Sequence, residues 1–213
     1  MSKSSHITVI LDRTGSMADI RDDVIGGFNS FLAAQQASPT PATFTLVQFD
    51  SQDPYEVVQP VGPIGDARPL THATYVPRAS TPLYDATGRG ILDLESMLAK
   101  LAKSKRPEKI IFVIVTDGHE NASREFTRAR ILEMIEAKRK QGWEFVFLSA
   151  DAQSFDDAHR MGMASDSRLM FKKSKQGNDR AWASVSDKMS RYREGAAASV
   201  QFDDQDRKDQ DSA

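Results

Sequence analysis

The strongest chemical signal in this 213-residue chain is a set of oxygen donors placed just after apolar runs. Asp12-Arg13-Thr14-Gly15-Ser16 follows the run at 7–11, and Thr116-Asp117-Gly118 follows the run at 110–115. A third group, Ala79-Ser80-Thr81-Pro82-Leu83-Tyr84-Asp85, closes a proline-rich stretch. Asp12, Thr14 and Ser16 alternate along a turn in which Gly15 relaxes the backbone, so their side chains can converge on one point. Two carboxylates and three hydroxyls are all hard oxygen donors, a set that suits Mg²⁺ or Mn²⁺ and neither zinc nor copper.

A helix N-cap after a strand would explain Asp12 and Ser16 by themselves. It does not explain Thr81 and Asp117 in matching contexts. His119 and Glu120, beside Asp117, invite an acid and base pair, but a loop leading into a helix is polar by default. Arg13 and Arg78 flank the donor loops and either steer an acidic partner or are solvated loop charges. Asp85 is expected to interact with a helix dipole. The basic clusters Lys103-Ser104-Lys105-Arg106 and Lys172-Lys173-Ser174-Lys175 lack interleaved aromatics and are read as solvated surface.

The elements that must hold these donors follow from hydrophobic periodicity. Short β-rich runs alternate with segments whose apolar residues recur at helical spacing, the pattern of βαβ units on a mostly parallel sheet. Strands are predicted at 7–11, 43–49, 55–61, 110–115, 144–148 and 168–171, with the second and third forming a hairpin. Ser16 is expected to cap a first helix carrying Met17, Ile20, Val24, Phe28, Phe31 and Gln35 on one stripe. Further helices are predicted from Pro82 through Leu101, at 125–140, at 154–161 and at 178–193, with Phe28 and Trp182 in core stripes. Gly88 and Gly90 inside the second helix each cost about 1 kcal/mol relative to alanine, tolerable if that helix packs closely on the sheet. Residues 62–80 form a long connection, a kind that is either disordered or functional. In such open sheets the ligand site lies beyond the carboxyl ends of the strands, where the donors sit.

Composition sets the limits. With 39% hydrophobic and 27% charged residues the chain fits one well-filled domain, expected at 1–195. An acidic tail at 196–213 is expected to be disordered. The 28 basic against 30 acidic residues leave a formal charge of −2, so no global field favours nucleic acid or an anionic membrane. No cysteine is present, which excludes disulfides, thiolate metal sites and cysteine nucleophiles. No apolar run is long enough for a signal peptide or a membrane span, so a cytoplasmic, monomeric protein is expected.

The donor pattern resembles the metal-ion-dependent adhesion site of von Willebrand factor type A domains: Asp-x-Ser/Thr-x-Ser, a distant Thr and a later Asp-Gly after a buried strand. Asp12, Thr14 and Ser16 match the first motif, Thr81 the second and Asp117 the third. Thr14 stands where the family more often has Ser, a change that keeps the hydroxyl. The resemblance runs from residue 5 to about 195. Residues 80–86, 115–126 and 148–155 are similar to compact stand-alone members from bacteria and their viruses. It implies a doubly wound, Rossmann-like α/β fold with about six mostly parallel strands, one antiparallel edge strand and helices on both faces. It also implies a bound divalent cation, Mg²⁺ with Mn²⁺ or Ca²⁺ as substitutes. An Asp or Glu of a partner protein would complete the coordination, with no catalytic residue, nucleic acid or membrane involved. The rival is a Mg²⁺-dependent phosphohydrolase with Asp12 as nucleophile, although the acid it would want two residues on is Thr14. No phosphate-cradling Gly-Lys-Ser/Thr loop and no Gly-x-Gly-x-x-Gly is present.

Overall fold

The computed structural model describes residues 4–212; residues 1–3 and 213, which begin and end the two expected ranges, lie outside the described residues. Six strands form one sheet: β1 (Ser5–Asp12), β2 (Ala42–Phe49), β3 (Glu56–Pro63), β4 (Lys109–Thr116), β5 (Trp143–Ser149) and β6 (Arg168–Met170). Their order is β3-β2-β1-β4-β5-β6. All neighbours run parallel except the β2–β3 hairpin, so β3 is the single antiparallel edge strand, as expected. The alternation of strand and helix dictates this, because a parallel partner needs a crossover helix while an antiparallel one needs only a turn.

Helices α1 (Arg21–Ala37), α2 (Leu83–Lys100), α3 (Arg128–Arg139), α4 (Ala152–Arg160), α5 (Lys175–Glu194) and α6 (Asp204–Asp211) complete the chain. The period-two alternation of the strands splits the core into two layers. Ile7, Val9 and Leu11 of β1 face Phe28, Phe31 and Trp182 of α1 and α5. Ile10 of the same strand faces Ile91 and Leu94 of α2 together with Ile131 and Ile135 of α3. Gly90 makes the close packing of α2 possible: a Cβ there would lie 2.9 Å from Ile10 Cδ1 and from Phe112 Cζ. The glycines in this helix thus sit where the predicted tight contact with the sheet requires at least one of them.

Two expectations are corrected. Ser16 does not cap α1, because the chain first forms a 3₁₀ turn over Gly15–Ile20, preceded by Thr14 with no side-chain cap. The expected disordered tail is packed over its described part, 196–212. Val200 and Phe202 are buried in the layer under α5, and Val200 N donates to Glu144 Oε2 at 3.0 Å. Two apolar residues in a polar run suffice to dock it, and its acids have structural work. Asp203 and Asp206 make a capping box on α6, and both pair with Lys188, at 2.7 and 3.1 Å.

The connection at 62–80 is ordered by side chains that satisfy its backbone. Asn29 accepts from Leu70 N at 2.7 Å and donates to Leu70 O at 2.9 Å, and Gln48 donates to Thr74 O at 3.0 Å. Leu70 and Tyr75 are its buried anchors. Among the described residues, no helix is long and apolar enough to cross a membrane.

Candidate metal centre

The sheet order reverses direction between β1 and β4: from β1 the chain passes to β2 on one side, and later returns to β4 on the other. Crossover helices diverge at such a point and leave a crevice beyond the strand ends. Asp12 ends β1 and Asp117 directly follows β4, so both candidate carboxylates stand at that crevice. The 3₁₀ turn after β1 brings Thr14 and Ser16 to it, and the loop before α2 brings Thr81.

The hydroxyl oxygens of Thr14 and Ser16 are 3.2 Å apart, and the Thr81 hydroxyl donates to Thr14 Oγ1 at 3.2 Å. All three surround one small space over Gly118. A Cβ built on that glycine would lie 2.8 Å from Thr81 Oγ1, 3.1 Å from Ser16 Oγ and 3.5 Å from Thr14 Oγ1. Only the absence of a side chain at 118 leaves the cradle free. Thr14, Thr81 and both aspartates are buried while Ser16 is exposed, so the cradle opens to solvent on the Ser16 side.

The two carboxylates differ in state. Asp12 accepts from Thr14 N at 2.6 Å and from the Thr116 hydroxyl at 2.5 Å, so both of its oxygens are engaged. Burial pushes its carboxyl up to about 7; the Thr116 and Thr14 hydrogen bonds restrain the rise and the Asp117 charge adds to it. Asp117 is also buried, and neither of its oxygens has a hydrogen-bond partner. Lys173 Nζ approaches Asp117 Oδ2 to 3.0 Å as an ion pair. A buried carboxylate that accepts no hydrogen bond, beside three convergent hydroxyls, fits a hard cation such as Mg²⁺, which needs oxygen donors and keeps several waters. Among the described residues there is no cluster of three or more His, Cys, Asp or Glu able to hold a metal, so any ion here depends on hydroxyl donors.

A brace that the sequence did not reveal holds the donor loops in register. Asp50, fully buried after β2, accepts from Arg13 Nε at 2.7 Å and Arg78 Nε at 2.9 Å. Its other oxygen accepts from Gln52 N and Asp53 N. Burial alone would raise the Asp50 carboxyl, but Arg78, Arg13 and the backbone donors outweigh it and hold it below its ordinary value. Arg13 also pairs with Glu56. Neither arginine is an unpaired loop charge: both brace Asp50. Between them the backbones interlock: Arg78 N donates to Arg13 O at 2.8 Å, and Gly15 N to Ala79 O at 3.0 Å. Ala79 has φ of +60°. That left-handed conformation costs an alanine roughly 1–2 kcal/mol, which the brace offsets. Tyr75 adds a further tie, its buried hydroxyl donating to Asp12 O at 2.6 Å.

From the β4 side, Asn121 clamps Thr81: Asn121 Oδ1 accepts from Thr81 N at 2.8 Å, and Asn121 N donates to Thr81 O at 3.0 Å. Glu120 is consumed by its own loop, accepting from Ala122 N, Ser123 N, Tyr84 N and the Ser123 hydroxyl at 2.7 to 2.9 Å. His119 is exposed beside it. This arrangement supplies no acid and base pair. Asp85 lies in the first turn of α2, as expected, and also accepts from the backbone of Arg124, Glu125 and Phe126. Lys173 was read as solvated surface and is corrected to a partner of Asp117. Pairing across tens of residues leaves no periodic trace, so neither it nor Asp50 had a sequence signal.

No family model and no curated protein matches the chain. Solved structures do. The pilus adhesin SpaC from Lactobacillus rhamnosus GG, in an open conformation, superposes with a TM-score of 0.63 at 16% identity, covering 89% of this chain and 30% of that one. A von Willebrand factor type A protein from Catenulispora acidiphila superposes at 0.61 and 11% identity, over 88% of this chain and 43% of that one. Proximal thread matrix protein 1 from the mussel byssus, with a zinc-occupied MIDAS motif, superposes at 0.55 and 11% identity, over 89% and 46%. The chain therefore spans less than half the length of each. At these identities the likeness is one of fold.

Proposed function

We propose that this chain, which has the von Willebrand factor type A fold, is a metal-dependent protein-binding module. Asp12, Thr14, Ser16, Thr81 and Asp117 hold a divalent cation, Mg²⁺ in the cell. The observation that carries the reading is the convergence of the Thr14, Ser16 and Thr81 hydroxyls over Gly118, next to a carboxylate with no hydrogen-bond partner. A neighbour of the same fold with a zinc-occupied MIDAS motif supports a divalent ion.

Three of the five ligands are neutral hydroxyls, and with the aspartates ligating partly through water the ion remains electrophilic. The solvent-facing side at Ser16 gives an outside ligand access. A carboxylate of a partner protein has the charge and the hard oxygen donor to fill that position. Asp12 in this scheme is ionised by the charge of the bound cation and oriented by Thr14 N and Thr116; the brace through Asp50 keeps the three hydroxyls in place. The fold neighbours, one of them an adhesin, support an interaction role. The phosphohydrolase alternative draws no support from Asp12, whose two oxygens are both engaged and whose neighbour two residues on is Thr14.

The test is thermal unfolding of wild type and Asp117→Ala in chelator and in millimolar Mg²⁺ or Mn²⁺. Ion at 100 times its dissociation constant stabilises by about 2.7 kcal/mol. A midpoint that rises with metal in wild type alone supports the site; no rise in either protein overturns it. Partner capture is then tested with metal present and free acidic peptides as competitors.

A further inference from the structure

The ammonium of Lys173 occupies an unusual place. Its Nζ is 3.0 Å from Asp117 Oδ2, whose side chain is fully buried, while the lysine side chain remains 45% exposed. The backbone on either side of this lysine is anchored. Phe171 is buried in the core and its N–H donates to Ser149 O at 2.9 Å. Three residues later Ser174 caps α5, its side chain accepting from Gly177 N at 3.0 Å. Gly177 lies so close to Lys172 that a Cβ there would be 2.5 Å from Lys172 O. Lys173 is thus carried on a short loop pinned at both ends, beyond the carboxyl end of β6 and on the same rim as the donor loops.

Asp117 accepts no hydrogen bond, so without a cation it would be a buried anion with nothing to neutralise it. We infer that Lys173 is an internal counter-cation of the metal centre, seated against Asp117 when no ion is bound and displaced by an entering divalent cation. This rests on the metal reading of the site and adds to it a regulation by the chain itself. The ammonium supplies one positive charge where the ion supplies two, and it has no vacant position for an outside ligand. The lysine-seated state is therefore closed to an acidic partner, and metal arrival both opens the site and releases an amine at its rim. Occupancy of the seat weakens metal binding in proportion: if the ammonium is seated nine-tenths of the time, the apparent dissociation constant rises about tenfold.

The experiment titrates Mn²⁺ into the full chain by calorimetry, comparing wild type, Lys173→Met, Lys173→Gln and Lys175→Gln. Lys175 pairs with exposed Asp179 and controls for loss of one charge nearby. Both Lys173 variants are expected to bind about tenfold tighter than wild type, the Lys175 variant far less so. In wild type, modification of Lys173 by an amine-directed acylating reagent, read by mass spectrometry, is expected to accelerate when Mn²⁺ saturates the site. Equal affinities in all four proteins, or equal tightening in the Lys173 and Lys175 variants, overturn the counter-cation and leave the metal site standing. Absence of binding in folded wild type and in folded Lys173 variants overturns both.

Discussion

The Thr116 hydroxyl donates to Asp12 Oδ2 at 2.5 Å, joining the last residue of β4 to the last residue of β1 across the point where the sheet order reverses. That bond orients the buried carboxylate of Asp12, while the carboxylate that accepts no hydrogen bond lies one residue beyond Thr116, at Asp117. The candidate centre is therefore built from strand ends, the most rigid positions available, with only the hydroxyls supplied by loops.

Gly118→Ala places a methyl group among three hydroxyls that have no room for it. The glycine does not have a positive φ, so alanine is compatible with the backbone and the fold persists. The expected result is an unfolding midpoint in chelator close to wild type, with the metal-induced rise lost. Thermal unfolding with and without Mg²⁺ checks it.

Asp50→Ala removes the acceptor shared by Arg13 and Arg78 and leaves the Arg13 guanidinium buried without it. Breaking such a pair costs about 3–5 kcal/mol. Urea unfolding in chelator measures the loss. Because the same brace holds the Thr81 loop, metal stabilisation should fall in this variant as well, although no metal ligand is altered.

His6 sets a pH dependence remote from the centre. Burial pushes its imidazole from 6.5 down to about 4, between the Thr8 and Thr43 hydroxyls. The unfolded chain then binds a proton that the folded chain refuses. Stability from this group is complete above about pH 6.5 and is lost as pH falls toward 4, by about 2–3 kcal/mol. Asp12 acts in the opposite sense, since its raised carboxyl holds a proton in the folded state over much of that range. The His6 contribution is read as the difference between wild type and His6→Gln in urea unfolding from pH 7.5 to 4.5. That difference should shrink as the pH falls.

Phe202→Ala tests the packed C-terminal segment. Phe202 is 4% exposed, and its truncation should cost about 3–5 kcal/mol as a core phenylalanine would. A change below about 0.5 kcal/mol, the size of an ordinary surface substitution, would indicate that the segment does not dock.

Strands were legible because buried parallel strands read as apolar runs, most plainly in β1, β4 and β5, while β2 shows instead the alternation of a strand. The donor loops were legible because Asp, Thr and Ser directly after such runs have few other reasons to cluster. Less legible was everything held by polar contact at long range. Arg13 and Asp50 are 37 residues apart, and Lys173 and Asp117 are 56 apart (173 − 117), so no local pattern links them. The C-terminal segment was misread because composition averages over a window, and Val200 and Phe202 vanish in an average dominated by aspartate. Ser16 was misread as a cap because a hydroxyl between a strand and an apolar helical stripe is the usual cap pattern, whereas here a 3₁₀ turn comes first.

The sheet ends differently at its two margins, and neither end invites growth. β3 carries Pro60 and Pro63, which cannot donate to a further strand, and its pairing with β2 shifts register twice between Phe44 and Val47. β6 is three residues long, with α6 packed beside it. Exposed, regular margins are the templates on which β proteins stack edge to edge. Here one margin is chemically blocked and the other too short to seed a ladder. A chain exposing Val57 and Val61 near that margin can therefore be concentrated without offering neighbouring molecules a strand to extend.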